Sequence, residues 1–206
     1  MEIKPRSVAI LIFEGVELLD FAGPFEVFSA ARVSPESPER LMDVYTVAES
    51  SDPLQCNNPL MVVPKYTMDN CPHADILVIP GGQGTRTAID RPHVIDWIRE
   101  QSSTAELTTS VCTGSFLLAK AGLLVGKSTT THWGSIDRMR ENFPGLDVRE
   151  NVRWVDQGDV VCSAGVSAGI DMAFHILGRL YGEAYASSVA RWIEYDHWPM
   201  NQSGDE

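Results

Sequence analysis

The stretch Leu107-Thr-Thr-Ser-Val-Cys112-Thr-Gly-Ser115 decides how the chain is read. Its first five residues are β-prone and its last residues lead into an apolar helical run, so it predicts a strand turning directly into a helix. Cys112 stands at the turn. A residue at such a corner projects from the end of the sheet. The backbone N–H groups beside it lie at a helix start, where they have no intrahelical partners. That combination exposes a nucleophile and provides for negative charge, and it is expected to favour the thiolate of Cys112.

The segments around it alternate in the same way. Ser7–Phe13 and Asp75–Pro80 are nearly continuous apolar runs, as expected of strands covered on both faces of a parallel sheet. Met42–Ala48 alternates and reads as a strand. Leu54–Pro64 reads as a hairpin turning at Asn57-Asn58. Val148–Val155 and Asp159–Ala164 read as an antiparallel pair turning at Gln157-Gly158. Helices are expected over about Leu18–Ala31, Arg91–Gln101, Thr113–Lys120, Gly134–Asn142, Gly165–Gly182 and Glu183–Tyr195. Gly122 suits the cap of the Thr113–Lys120 helix after Cys112. Pro24 breaks helix interiors, so the first helix is expected to begin there, with Asp20 on the preceding loop. Strand–helix alternation predicts an α/β fold with a mainly parallel sheet. In such folds sites lie beyond the C-terminal strand ends, where Asp20, Gly81–Gly84, Cys112 and Gly165 would converge.

Composition limits the function. The 206 residues suit one domain, taken as 1–206 with a polar tail from about 201, and 44% hydrophobic content predicts a globular chain. The net charge of −12 argues against a nucleic-acid partner. No apolar run approaches the ~20 residues of a membrane helix, and the N-terminal run is too short for a signal peptide. A cytoplasmic location is expected. The four cysteines, Cys56, Cys71, Cys112 and Cys162, form no zinc-site spacing, and no metal or cofactor is called for. Reduced thiols are the expectation; a Cys56–Cys71 bridge is the one pairing weighed against it.

Several residues compete for chemical roles beside Cys112. Asp20 either caps a helix or shares a proton with the cysteine, its pKa raised by the neighbouring anion. His132 completes a cysteine–histidine dyad or forms a wall, and His132-Trp133-Gly134 has no acid to orient it. Gly81-Gly82-Gln83-Gly84 lacks dinucleotide spacing and is expected to offer backbone N–H groups, Gly82 among them, as an oxyanion hole. Gly165-Val166-Ser167-Ala168-Gly169 matches G-x-S-x-G. Its nominal partners are Asp171, His175, Asp196 and His197, but Asp171 and His175 share the helix that Ser167 would open. Ser167 is therefore read as a helix-start residue whose neighbours line a pocket.

Five motifs occur in order: Leu19–Pro24, Ile79–Gly84, Ser110–Ser115, Thr130–Trp133 and Gly165–Asp171. Together they resemble the DJ-1/PfpI superfamily of class I glutamine amidotransferase-like proteins, and within it the isocyanide (isonitrile) hydratases and the related domain of some AraC-type regulators. The resemblance implies a flavodoxin-like three-layer sandwich with a cysteine nucleophile elbow, a homodimer, and a small-molecule substrate. It implies that Cys112 is the nucleophile and Asp20 its acid/base partner, with Gly82, Thr113 and Val166 around the reacting atoms and His132 in support. Thr113 stands where PfpI-type proteases place a histidine, and His132-Trp133-Gly134 departs from the His-x-Glu of the amidotransferases. Peptidase and glutaminase chemistry are accordingly not expected. Activity on reactive carbonyls and non-catalytic ligand or thiol sensing stand as alternatives to hydration. The chain ends at Glu206 without room for a helix-turn-helix portion.

Overall fold

The computed structural model describes residues 4–34 and 37–196. The strands, in chain order, are β1 (Arg6–Leu11), β2 (Met42–Ala48), β3 (Leu54–Gln55), β4 (Met61–Val62), β5 (Tyr66–Thr67), β6 (Ile76–Ile79), β7 (Leu107–Val111), β8 (Ser128–Thr129), β9 (Asp147–Val148), β10 (Trp154–Asp156) and β11 (Val160–Ser163). The helices are α1 (Leu18–Ser29), α2 (Thr85–Ala88), α3 (Pro92–Thr104), α4 (Gly114–Lys120), α5 (Ile136–Asn142), α6 (Ala168–Tyr181) and α7 (Glu183–Trp192), with a 3₁₀ turn at Trp133–Ser135 before α5.

Seven strands form one sheet in the order β10-β11-β7-β6-β1-β2-β5. All neighbours run parallel except the edge hairpin β10–β11. Val8 to Ile12 and Ile76 to Ile79 are wholly inaccessible to solvent, because helices cover both faces. On one side α1 packs on α6, and α6 on α7; on the other α4 packs against β6 and β7, with α2 and α3 beside it. This is the flavodoxin-like α/β sandwich with a mainly parallel sheet. The order reverses about β1, whose neighbours are β2 and β6, and the crevice beyond the strand ends at that reversal is where such sheets bind ligands.

Three expectations need correction. Helix α1 begins at Leu18, so Pro24 lies inside it and Asp20 sits in its first turn rather than on a loop. Pro24 only removes the hydrogen bond to the Asp20 carbonyl, while the backbone bonds of Glu17 N–H to Gly81 O (2.9 Å) and Asp20 N–H to Glu17 O (3.2 Å) fix the earlier start. The run Val148–Val155 is not one strand. Asn151 takes a left-handed φ of +59° and turns the chain, so Asp147–Val148 pairs with β8 and only Trp154–Asp156 forms the hairpin with β11. Helix α6 starts at Ala168 rather than Gly165, because Val166 is itself left-handed at φ +54°. The two-residue strand β5 and the short helix α2 had no counterpart in the sequence reading. Among the described residues no helix is long and apolar enough to cross a membrane, and no group of three or more His, Cys, Asp or Glu is placed to share a metal ion. The tail from about 201 and His197 lie outside the described residues.

Candidate functional site

Cys112 closes β7 in a left-handed conformation, φ +57°, which a residue with a Cβ adopts only when its surroundings enforce it. The enforcing bonds are identifiable. The Cys112 N–H donates to the carbonyls of Ser163 (3.2 Å) and Ala164 (3.1 Å) at the end of β11. The Cys112 carbonyl accepts from Ser115 Oγ (3.1 Å) and Thr131 Oγ1 (2.9 Å), both buried hydroxyls. Sequence analysis had noticed neither clamp. The corner places the sulfur, 6% exposed as a residue, at the floor of a cavity of about 160 Å³.

Asp20 lies wholly buried beside it. Its Oδ2 accepts the Gly81 N–H at 2.9 Å, while Oδ1 is buried with no hydrogen-bond partner among the described residues. A side chain on Gly81 would collide here: its Cβ would stand 2.6 Å from the Thr113 nitrogen and 2.8 Å from Asp20 Oδ2, so only glycine brings this turn so close. Burial raises the Asp20 carboxyl from the usual range to about 7; the Gly81 N–H opposes the rise and the charge of Glu17 adds to it. Burial likewise pushes the Cys112 thiol well above its ordinary range, and the Asp20 carboxylate pushes it further, against the N–H groups of Thr113 and Val166. The two groups therefore hold on to protons jointly, because two adjacent buried anions repel. This corrects the expectation of a favoured thiolate. The helix start does supply N–H groups, but desolvation and Asp20 outweigh them.

The remaining predicted residues all line this cavity: Gly82, Thr113, His132 and Val166. Gly82 is positioned differently from expectation. Its N–H donates to Thr113 Oγ1 (3.0 Å) and its carbonyl accepts from Thr85 Oγ1 (2.7 Å), so that N–H is engaged rather than left for an oxyanion. The Val166 N–H acts on both Asp20 and Cys112. His132 accepts the Gly134 N–H on Nδ1 (3.2 Å), which fixes its ring as the cap of the 3₁₀ turn. Gly165 leaves room for that ring: a Cβ there would come within 2.3 Å of His132 Cδ2.

The corner at Val166 has its own support. Arg153 receives the Ala164 N–H on its carbonyl (2.9 Å), reaches Ser167 Oγ (3.3 Å), and pairs through Nε with the buried Asp171 (2.7 Å), which also accepts Tyr195 Oη (2.7 Å). Asp171 is thus occupied, and His175 is bonded to Asp156 (2.7 Å), so neither serves Ser167 and no serine triad assembles from the described residues. Cys162 is buried in β11, and all four cysteines are free.

Glu17 and Gln83 belong to segments the sequence already placed at the site, but sequence reading missed the rest of the wall: Asn57, Arg86, Ser135 and Arg138. Arg86 follows the Gly81–Gly84 turn closely enough to have been included with it. Arg138 carried no such signal, because its direction depends on how α5 is rotated.

Comparison with known proteins bears on the family and the fold. Residues 6–179 match the DJ-1/PfpI family. The isonitrile hydratase of Pseudomonas putida is 33% identical over 198 residues, 96% of this chain and 82% of that protein. The HTH-type transcriptional regulator GbdR of Pseudomonas aeruginosa is 27% identical over 94% of this chain, which spans only 52% of the regulator. Among solved structures, a ThiJ/PfpI family protein from Pseudomonas syringae superposes with a TM-score of 0.84 at 29% identity, covering 98% of this chain and 80% of that one. The chain belongs to the DJ-1/PfpI family.

Proposed function

From that membership as premise, we propose that the protein is a cysteine-dependent enzyme of the isonitrile hydratase kind, adding water to an isocyanide to give an N-substituted formamide without a cofactor. One observation carries the reading: a buried carboxyl with an unpartnered oxygen stands against a buried thiol, and both bind protons more tightly than usual. Such a pair suits a neutral substrate that needs proton transfers in step with sulfur attack.

The Asp20 carboxylate takes the Cys112 proton as sulfur bonds to the terminal carbon of R–N≡C, and returns it to that carbon. The result is a thioimidate, R–N=CH–S–Cys112. Water, deprotonated by Asp20, adds to the same carbon while nitrogen gains a proton. Collapse of the tetrahedral adduct expels the sulfur, which recovers its proton, and R–NH–CHO leaves. The sum is one isocyanide plus one water. The Val166 N–H lies near the reacting atoms, Thr113 and Gly82 brace the turn above Asp20, and His132 serves as a wall.

The test is formamide formation from an aryl isocyanide. Cys112→Ala is expected to lose on the order of 10³-fold or more in kcat/KM, and Asp20→Asn roughly 10²- to 10⁴-fold. Full turnover by Cys112→Ala would end the proposal.

The similarity to a transcriptional regulator favours a second reading, a ligand-binding domain without turnover. It predicts saturable isocyanide binding with no formamide. Activity on reactive carbonyls would instead appear as lactate from methylglyoxal. We further propose that the chain, 1–206, forms one catalytic unit, is cytoplasmic and works as a homodimer. Leu19, 37% exposed in the turn that carries Asp20, is an apolar side chain for a partner to cover, and sedimentation at micromolar concentration measures the dimer.

A further inference from the structure

Two cations stand where the sequence reading saw none. Arg86 and Arg138 both line the cavity above Cys112, and both also line an adjoining cavity of about 180 Å³ with Thr85, Ile89, Phe116 and Asn142. They lie near enough to repel each other, which lowers the Arg138 pKa beyond the effect of burial. Among the described residues neither forms an ion pair with a carboxylate, although the chain carries a net charge of −12. Each makes one uncharged contact. Arg86 Nη1 donates to Gln83 Oε1, and the Arg138 guanidinium lies 4.2 Å from the centre of the Phe116 ring. Two like charges side by side, without an ion-pair partner among the described residues, at the wall of the Cys112 cavity suit an anion.

We infer that Arg86 and Arg138 hold the carboxylate of a small anionic substrate whose reactive end reaches Cys112. This rests on the hydratase reading and narrows it to isocyanides bearing a carboxylate, with N-formyl amino acids as products. A monoanion fits better than a phosphate dianion, because Glu17 lines the same cavity and Asp20 lies beneath it. A planar carboxylate also matches the fork of a guanidinium.

The experiment compares isocyanoacetate with its neutral methyl ester. In the wild type the acid is expected to have the higher kcat/KM. Arg86→Gln and Arg138→Gln should each lower the acid-to-ester ratio about tenfold, mainly through KM, as loss of one charge-assisted contact implies. Arg140→Gln removes a cation from the same helix, α5, that pairs with Glu150 instead, and should leave the ratio in place. A ratio that does not move in the first two variants, or moves equally in the third, overturns the inference.

A second arm does not need turnover. Alkylation of Cys112 by iodoacetate and by iodoacetamide is followed by mass spectrometry, with glutathione as the free-thiol reference. The anionic reagent should be favoured relative to glutathione, and the preference should fall in Arg86→Gln and Arg138→Gln. If neither isocyanide is turned over, the hydratase reading fails, and the alkylation ratio alone decides the anion site: a preference equal to that of glutathione and indifferent to both arginines refutes it.

Discussion

The chain makes two left-handed corners at neighbouring strand ends, Cys112 after β7 and Val166 beyond β11, and they solve the same backbone problem by different means. At Cys112 the carbonyl is clamped by two neutral hydroxyls, and the side chain is what the corner delivers. At Val166 the bracing comes from the Arg153–Asp171 pair, and the delivered group is the backbone N–H; the valine side chain itself is only half-buried. A residue at φ near +55° costs on the order of 1–2 kcal/mol, more for a β-branched one. The difference teaches that the backbone of the reactive corner is held by neutral groups alone, while the strong ionic brace is set one strand away.

The comparison breaks most visibly at Arg153. Arg153→Met leaves Asp171 buried with Tyr195 but without its cation, and is expected to cost about 3 kcal/mol of stability in urea unfolding. If the brace serves the corner, kcat falls as well; an unchanged kcat would confine Arg153 to stability.

The next effect concerns Asp20 and is a matter of sign. Its pKa is raised in the folded state, from the usual carboxylate range to about 7. The folded protein therefore binds more protons than the unfolded chain between those limits. The stability contributed by neutral Asp20 is full below the ordinary aspartate pKa and is lost as pH rises through about 7. Asp20→Asn should thus be more stable than wild type at pH 8, by on the order of 1–3 kcal/mol, and nearly equal to it at pH 4. Denaturation midpoints at the two values check this; a gap that is largest at pH 4 would refute it.

The smallest effect sharpens the contrast. Thr131→Val removes one neutral clamp from the Cys112 carbonyl, which keeps the bond from Ser115, and should cost only about 1 kcal/mol. Thermal unfolding beside Arg153→Met measures the difference between hydroxyl and ionic bracing directly.

How far these corners were legible differs in the same way. The strand–Cys–helix pattern announced Cys112, and β2 was read residue for residue, because apolar continuity and alternation are local signals. The left-handed Val166 and Asn151 were not, since nothing in a valine or in one asparagine marks a positive φ; the fold around them enforces it. Asp20 was expected near Cys112 and lies beside it, but on a helix rather than a loop, because the tertiary bonds that start α1 six residues earlier outweigh the propensity of Pro24. Arg86 and Arg138 show the harder limit: that they share one cavity wall and that neither forms an ion pair among the described residues is a property only the folded chain defines.

Glu17, the residue just before α1, stands on the rim one helical turn ahead of Asp20 and raises its pKa through space. The acidity of the floor is therefore adjustable from the doorway. Substitutions at the rim are expected to shift the pH at which Asp20 titrates, over generations or by engineering, without altering Asp20 or Cys112 themselves.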